Sequence, residues 1–204
     1  MSEGGDFALR WKLAQGPTAT REVLCDAAHE MIHADGLHAL NMRRLAAKVG
    51  VSAMAPYKYY RGKETLVEDV RSRVRRDFGQ RLNAAVDAAS SPTEKLRRLC
   101  SAYLQYAVDN EQDYRLISAP NGSAQSVFPG QPAHTQAWRV LQDVVHNLPG
   151  RDPEIDPLDQ AHLVWASLHG LVDLHLTNRL SSGRSVQELG ISAVPFLLNA
   201  LCVS

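Results

Sequence analysis

Between Asn41 and Lys63 the chain carries six basic side chains (Arg43, Arg44, Lys48, Lys58, Arg61 and Lys63) and no acidic one. Fixed positive charge at that density suits a polyanion, although a solvated surface face would show the same count. The chain as a whole hides the feature, because 22 Lys+Arg balance 22 Asp+Glu. Divided, residues 1–100 hold 17 basic and 12 acidic residues, whereas residues 101–204 hold 5 and 10. Such asymmetry is expected when only one end of a protein meets a polyanion.

Other groupings are incomplete. His29 and His33 stand four apart with Glu30 directly after the first, the H-E-x-x-H spacing that sets two imidazoles on one helix face. No third ligand lies near them in the sequence, so no metal is expected. Ser167, His169 and Asp173 would share one helix, where residues two apart do not face each other, so nucleophile and base cannot meet. Asp152, Glu154, Asp156 and Asp159 lack the glycine and spacing of a calcium loop. Cys25, Cys100 and Cys202 fit no zinc or redox spacing. With no phosphate-cradling glycine loop either, neither a catalytic residue nor a cofactor is expected, and the chain reads as a non-enzyme.

The elements that must position these residues read as helices throughout. Composition is ordinary for a globular chain of 204 residues, 45% apolar and 22% charged. No apolar run is long enough to span a bilayer, and the first residues lack a secretory signal, so a cytoplasmic protein is expected. Val23, Leu24, Ala27, Ala28, Met31 and Ile32 stripe one helical face that stops at Asp35-Gly36. Ser91-Pro-Thr-Glu94 and Ser185-Val-Gln-Glu188 are capping boxes, and Asp156-Pro157 opens a helix to about Leu180. Pro195 is expected to kink or restart the last helix. Ala119–Pro132, with Asn121-Gly122 inside it, reads as a long loop. Residues 1–17 read as a flexible tail, with a short helix or basic arm over Phe7–Lys12 as the alternative.

The basic segment itself predicts a helix-turn-helix. Asn41 can cap a helix over Met42–Lys48, Val49-Gly-Val-Ser52 makes a tight turn, and Ser52 can cap a very short helix over Ala53–Tyr59. Short or flexible side chains at Ser52, Ala53, Met54 and Ala55 would let a duplex edge approach closely in the major groove.

Thr20–Ala28, Gly36, Leu45-Ala46, Val49–Ser52, Pro56-Tyr-Lys-Tyr-Tyr60 and Lys63-Glu-Thr-Leu66 together resemble the DNA-binding domain of the TetR family of bacterial transcriptional regulators. Trp165-Ala-Ser-Leu-His169-Gly170 is similar to the Trp…His-Gly signature of one C-terminal class in that family. The resemblance implies an all-α chain. A three-helix DNA-binding bundle over residues 18–63 would be followed by a larger helical ligand-binding and dimerisation bundle over residues 64–204. The fourth helix, about Lys63–Asn83, would join the two parts.

The resemblance also implies roles. Tyr57 and Lys63 match phosphate-contacting positions, and Asn41 stands at the second-helix cap. Arg43, Arg44, Ser52, Ala53, Met54 and Lys58 match positions that touch backbone or base edges, whereas Tyr60 is expected in the core. Pro56 departs from the family's aliphatic residue and leaves the aim of Met54 and Ala55 open. A homodimer is implied through the last two helices, with Leu168, Leu171, Leu197, Leu198 and Leu201 as interface candidates. It would meet a palindromic double-stranded operator and respond to a small-molecule effector, most simply as a repressor released by that effector. Tyr103, Trp138, Trp165 and His169 are candidates for the effector pocket, with core filling as the alternative for the aromatics. Arg71, Arg73, Arg75 and Arg76 read as a solvated face. An activator, or a helical module whose helix-turn-helix serves a protein partner, remains the alternative function.

Overall fold

In the computed structural model, residues 4–119, 136–180, 183 and 185–202 are described, and the regular elements among them are helices. The loop expected over Ala119–Pro132 lies, apart from Ala119, outside the described residues. None of the described helices is long and apolar enough to cross a membrane.

Local chemistry places most of the ends. Helix α2 (Gly16–Asp35) buries the expected stripe and stops at Gly36, whose φ of 81° is open to glycine and whose N–H donates to the Ile32 carbonyl at 2.7 Å. Helix α3 (Met42–Val49) follows, then α4 (Lys63–Asp87). Helix α5 (Pro92–Asp109) begins where Ser91 accepts the Glu94 N–H, and α6 (Glu111–Ser118) continues after one residue. Helix α7 is Gln136–His146. Helix α8 (Pro157–Leu176) starts under the Asp156 side chain and ends before Leu180. Helix α9 (Val186–Leu201) opens on a complete Ser185–Glu188 capping box. Pro195 does not break it, although the proline has no N–H to return to the preceding turn.

Two apolar cores result. The first gathers Leu24, Ile32, Leu45, Val49, Tyr60, Leu66 and Val70 from α2, α3, the segment after it and the start of α4. The second gathers Phe78, Leu99, Tyr103, Trp138, Val164, Leu168 and Leu197. Helix α4 serves both, so the division expected at residue 63 falls within this helix, between Val74 and Phe78. Leu116 of α6 crosses back into the first core.

Residues 4–13 are not a flexible tail: Gly4–Leu13 form helix α1. Phe7 is buried in the first core, with the Lys48 ammonium and the Arg10 guanidinium over its ring. Arg10 also pairs with Asp26 of α2, and Trp11 meets Tyr59 edge to face. These contacts hold a helix too short to persist alone.

Phe7→Ala is expected to lower unfolding free energy by about 3 kcal/mol, as for other buried Phe deletions. Urea melts followed by circular dichroism check this, and a change within error would return residues 1–17 to a tail.

Candidate nucleic-acid interface and internal cavity

Helix α3 begins at Asn41, whose carbonyl oxygen accepts the Arg44 N–H at 2.9 Å and leaves its amide N–H groups for other work. The helix ends in paired bonds from Gly50 N–H to Ala47 and from Val51 N–H to Ala46, with Gly50 left-handed at φ 76°. The expected helix over Ala53–Tyr59 is not α-helical. A turn from Ser52 leads into a 3₁₀ turn at Pro56–Lys58. With Ser52 as cap, the first α-helical bond would run from residue 56 to the Ser52 carbonyl, and Pro56 has no N–H to make it. Ala55 N–H answers the Ser52 carbonyl instead, at 2.9 Å.

The segment returns to α4 through Tyr60, whose hydroxyl donates to Asp69 at 2.9 Å while Arg21 donates to the same carboxylate at 2.8 Å. Burial opposes ionisation of Asp69, but hydrogen bonds from Arg21 and Tyr60 outweigh it and hold its carboxyl below the usual range. Burial pushes the Tyr60 phenol up, and its ring lies under the Arg21 guanidinium.

Of the candidate contact residues, Asn41, Arg43, Arg44, Ser52, Ala53, Met54, Tyr57 and Lys58 are exposed, Met54 at 67% and Tyr57 at 46%; Lys63 is half-buried. Arg44 donates to the Ala39 carbonyl and approaches Asp35, Lys48 pairs with Glu30, and the Lys63 ammonium donates to the Leu37 carbonyl. Arg43, Lys58 and Arg61 carry no partner among the described residues. The basic segment therefore keeps part of its charge for its own fold and presents the rest outward.

A cavity of about 620 Å³ opens inside the second core. Tyr103, Trp138, Trp165 and His169, the four pocket candidates, all line it, together with Arg75, Phe78, Tyr114 and Ile117. The Tyr103 and Tyr114 hydroxyls lie 2.9 Å apart, and Tyr114 reaches the His169 Nδ1 at 2.7 Å. The His169 ring stacks on Trp165 at 5.7 Å between centroids. Burial lowers the basicity of His169 against the opposing charge of Asp173, and burial pushes the Tyr103 phenol up to about 12. Tyr103 donating to Tyr114, and Tyr114 to a neutral His169, leaves neither hydroxyl hydrogen unpaired.

The solvated arginine face expected on α4 is mostly interior. Arg71 is buried and donates to the Leu116 carbonyl at 3.0 Å, Arg73 pairs with Asp26, and only Arg76 of the four is exposed. Arg75 donates from Nη1 to Glu68, while its buried Nη2 has no hydrogen-bond partner among the described residues. A helix packed against two cores has no continuous outer face, which is why their charge misled. Tyr114 carried no signal beyond its aromatic type.

The interface leucines also face inward. Leu168, Leu197 and Leu201 are buried in the second core, and Leu171 and Leu198 are half-buried against it. The apolar side chains that α8 and α9 leave exposed are instead Leu158, Leu163, Leu174, Ile191 and Phe196. Both helices are apolar on more than one face, so apolar type alone does not tell core from outer surface.

Residues 24–70 match a family model described as bacterial regulatory proteins, tetR family, and residues 96–194 match one described as tetracyclin repressor-like, C-terminal domain. Sixty residues are 40% identical to the HTH-type transcriptional repressor DrrR1 of Streptomyces coeruleorubidus, covering 29% of this chain and 22% of that protein. Eighty-five residues are 31% identical to the HTH-type transcriptional regulator BetI of Brucella anthropi, covering 42% of this chain and 43% of BetI. The matched stretch spans less than half the length of either curated relative. A crystal structure of a TetR-family transcriptional regulator from Pectobacterium atrosepticum superposes with a TM-score of 0.73 at 24% identity, covering 92% of this chain and 96% of that one.

Tyr114→Phe would remove both bonds of the Tyr103–Tyr114–His169 chain and leave buried polar atoms unpaired. The expected loss is about 2 kcal/mol, read from urea melts of the two proteins.

Proposed function

This chain belongs to the TetR family of bacterial regulatory proteins, and from that premise we propose that it is a dimeric, sequence-specific DNA-binding repressor released by a small molecule. The observation that carries the reading is the helix-turn-helix itself, where Arg43, Tyr57, Lys58 and Arg61 stand exposed in a segment free of acidic residues. Arg43, Lys58 and the Tyr57 hydroxyl take phosphates, with the Asn41 amide as a further donor. Lys63 contributes charge while donating to Leu37. The single turn Ser52–Ala55 brings Ser52, Ala53 and Met54 to base edges in the major groove, and Arg44 completes the contact surface. A relative named as a repressor supports the sign of regulation.

The cavity is the effector site in this reading. Tyr103, Trp138 and Trp165 take the apolar body of the ligand, His169 joins the polar chain, and the unpartnered Arg75 Nη2 offers a donor to an acceptor group. Phe78 of α4 and Ile117 of α6 line the cavity, whereas Val74 of α4 and Leu116 of α6 belong to the DNA-binding core. A ligand that fits only when these helices shift lowers the population of the DNA-competent arrangement. Dimerisation uses the outward faces of α8 and α9, around Leu163, Leu174, Ile191 and Phe196. Two-fold symmetry then presents two recognition segments to half-sites about 34–36 Å apart, or a multiple of that.

Fluorescence anisotropy on duplexes selected from a random pool tests the DNA reading. Binding should resist unrelated competitor and weaken steeply with salt. Arg43→Ala with Lys58→Ala should weaken it and reduce the log–log salt slope by about two, one for each phosphate no longer neutralised. An unchanged slope would remove those two residues from the phosphate interface, and failure of the selection would move the helix-turn-helix to a protein partner.

Ile191→Asp with Phe196→Asp should give folded monomers in sedimentation velocity. Dimers that persist in that variant would place the interface elsewhere.

A further inference from the structure

His29 and His33 lie one turn apart on α2, and the fold brings Asp113, from the first turn of α6, against both. The His29 Nε2 is 2.9 Å from one Asp113 carboxylate oxygen and 3.0 Å from the other. The His33 Nδ1 is 3.4 Å from the nearer oxygen of that pair. One ligand atom from each of the three residues lies within 4.8 Å of the others. The third ligand that sequence spacing did not supply is thus present, about eighty residues further along the chain.

Asp113 is 4% exposed, and among the described residues no lysine or arginine pairs with it. A carboxylate so far out of water needs a compensating positive charge, which a cation bound between it and the two imidazoles would supply. Two imidazole nitrogens and a carboxylate are the donors that zinc takes in sites with three protein ligands, at about 2.0–2.2 Å each. Tetrahedral coordination at those lengths sets neighbouring ligand atoms about 3.4 Å apart, and the two imidazole–carboxylate separations here are 2.9 and 3.4 Å. Calcium and magnesium prefer all-oxygen shells and fit this set poorly.

We propose that His29, His33 and Asp113 form a divalent transition-metal site, with zinc(II) as the fitting ion, that ties α2 to α6. Water or a further ligand takes the fourth position. The ion replaces the imidazole–carboxylate hydrogen bonds by coordination, and it favours whichever arrangement keeps α2 and α6 in this register. Because α2 belongs to the DNA-binding core and Tyr114 and Ile117 of α6 line the cavity, the metal would act on the contact between the two parts of the chain. The site stands on its own geometry and does not require the operator or effector to be as proposed above.

Tag-free full-length protein, stripped with a chelator and dialysed, is titrated with cobalt(II) and then zinc(II), with binding read by visible absorption and calorimetry. One cobalt ion per chain with intense tetrahedral bands, displaced by zinc, is expected. His33→Ala removes a half-exposed ring at little structural cost. Asp113→Asn keeps the shape of the buried side chain, and His33→Gln is the reserve should Asp113→Asn not fold. Each should weaken zinc binding by more than the roughly 10–100-fold that loss of an outer-shell partner costs. Zinc should also raise the Tm of the parent protein and leave that of His33→Ala unchanged. Stoichiometric binding untouched by these substitutions, octahedral cobalt spectra, or no saturable binding below millimolar zinc would overturn the proposal.

Discussion

Helix α4 is the constraint on which the rest of the molecule depends. Its 25 residues make a rod about 37 Å long. Leu66, Val67, Val70 and Val74 of this helix close one core, and Phe78, Leu82 and Val86 close the other. Neither core can rotate freely about a helix that both have packed against. Leu116 and Arg71 reinforce the link, one by entering the first core from α6 and the other by donating to the Leu116 carbonyl. Helices α4 and α6 thus join the second core physically to the helix-turn-helix.

The cavity beside this rod is unusual in being both aromatic and polar. Tyr103, Tyr114 and His169 form a hydrogen-bonded chain through its wall, and Arg75 brings a guanidinium with one nitrogen unanswered among the described residues. A buried donor without a partner is costly, so the site rewards an occupant that accepts a hydrogen bond there. In the proposed effector site the aromatic rings would supply the larger share of contact area and the polar atoms would set orientation.

Much of this was legible in the sequence where the signal is local. The caps at Asp156 and Ser185 bond as expected, Ser91 caps its helix although Glu94 turns to Arg97 and Arg98 instead of closing the box, and Gly36 and Gly50 end their helices with positive φ. The four cavity residues picked from aromatic type and a short motif do converge on one space. What failed depended on distant partners. Helix α1 exists because Asp26, Lys48 and Tyr59 receive it, and no local pattern announces that. Pro56 costs the first defining bond of its segment, which is why a 3₁₀ turn stands where a short helix was expected. Leu168 and Leu197 were as apolar as an interface needs, but the second core claims them.

The first core also bears on how separable the two halves of the chain are. The stretch that matches the bacterial regulatory family ends at residue 70, yet the core it builds is finished by Phe7 before it and by Leu116 after it. A head cut at those limits would leave apolar walls open at both ends. Exchange of such heads between relatives, by recombination or by design, would have to carry the matching surface of α6 along with the helix-turn-helix. Evolution at this joint is then a matter of paired changes across α1, α4 and α6 rather than of free shuffling.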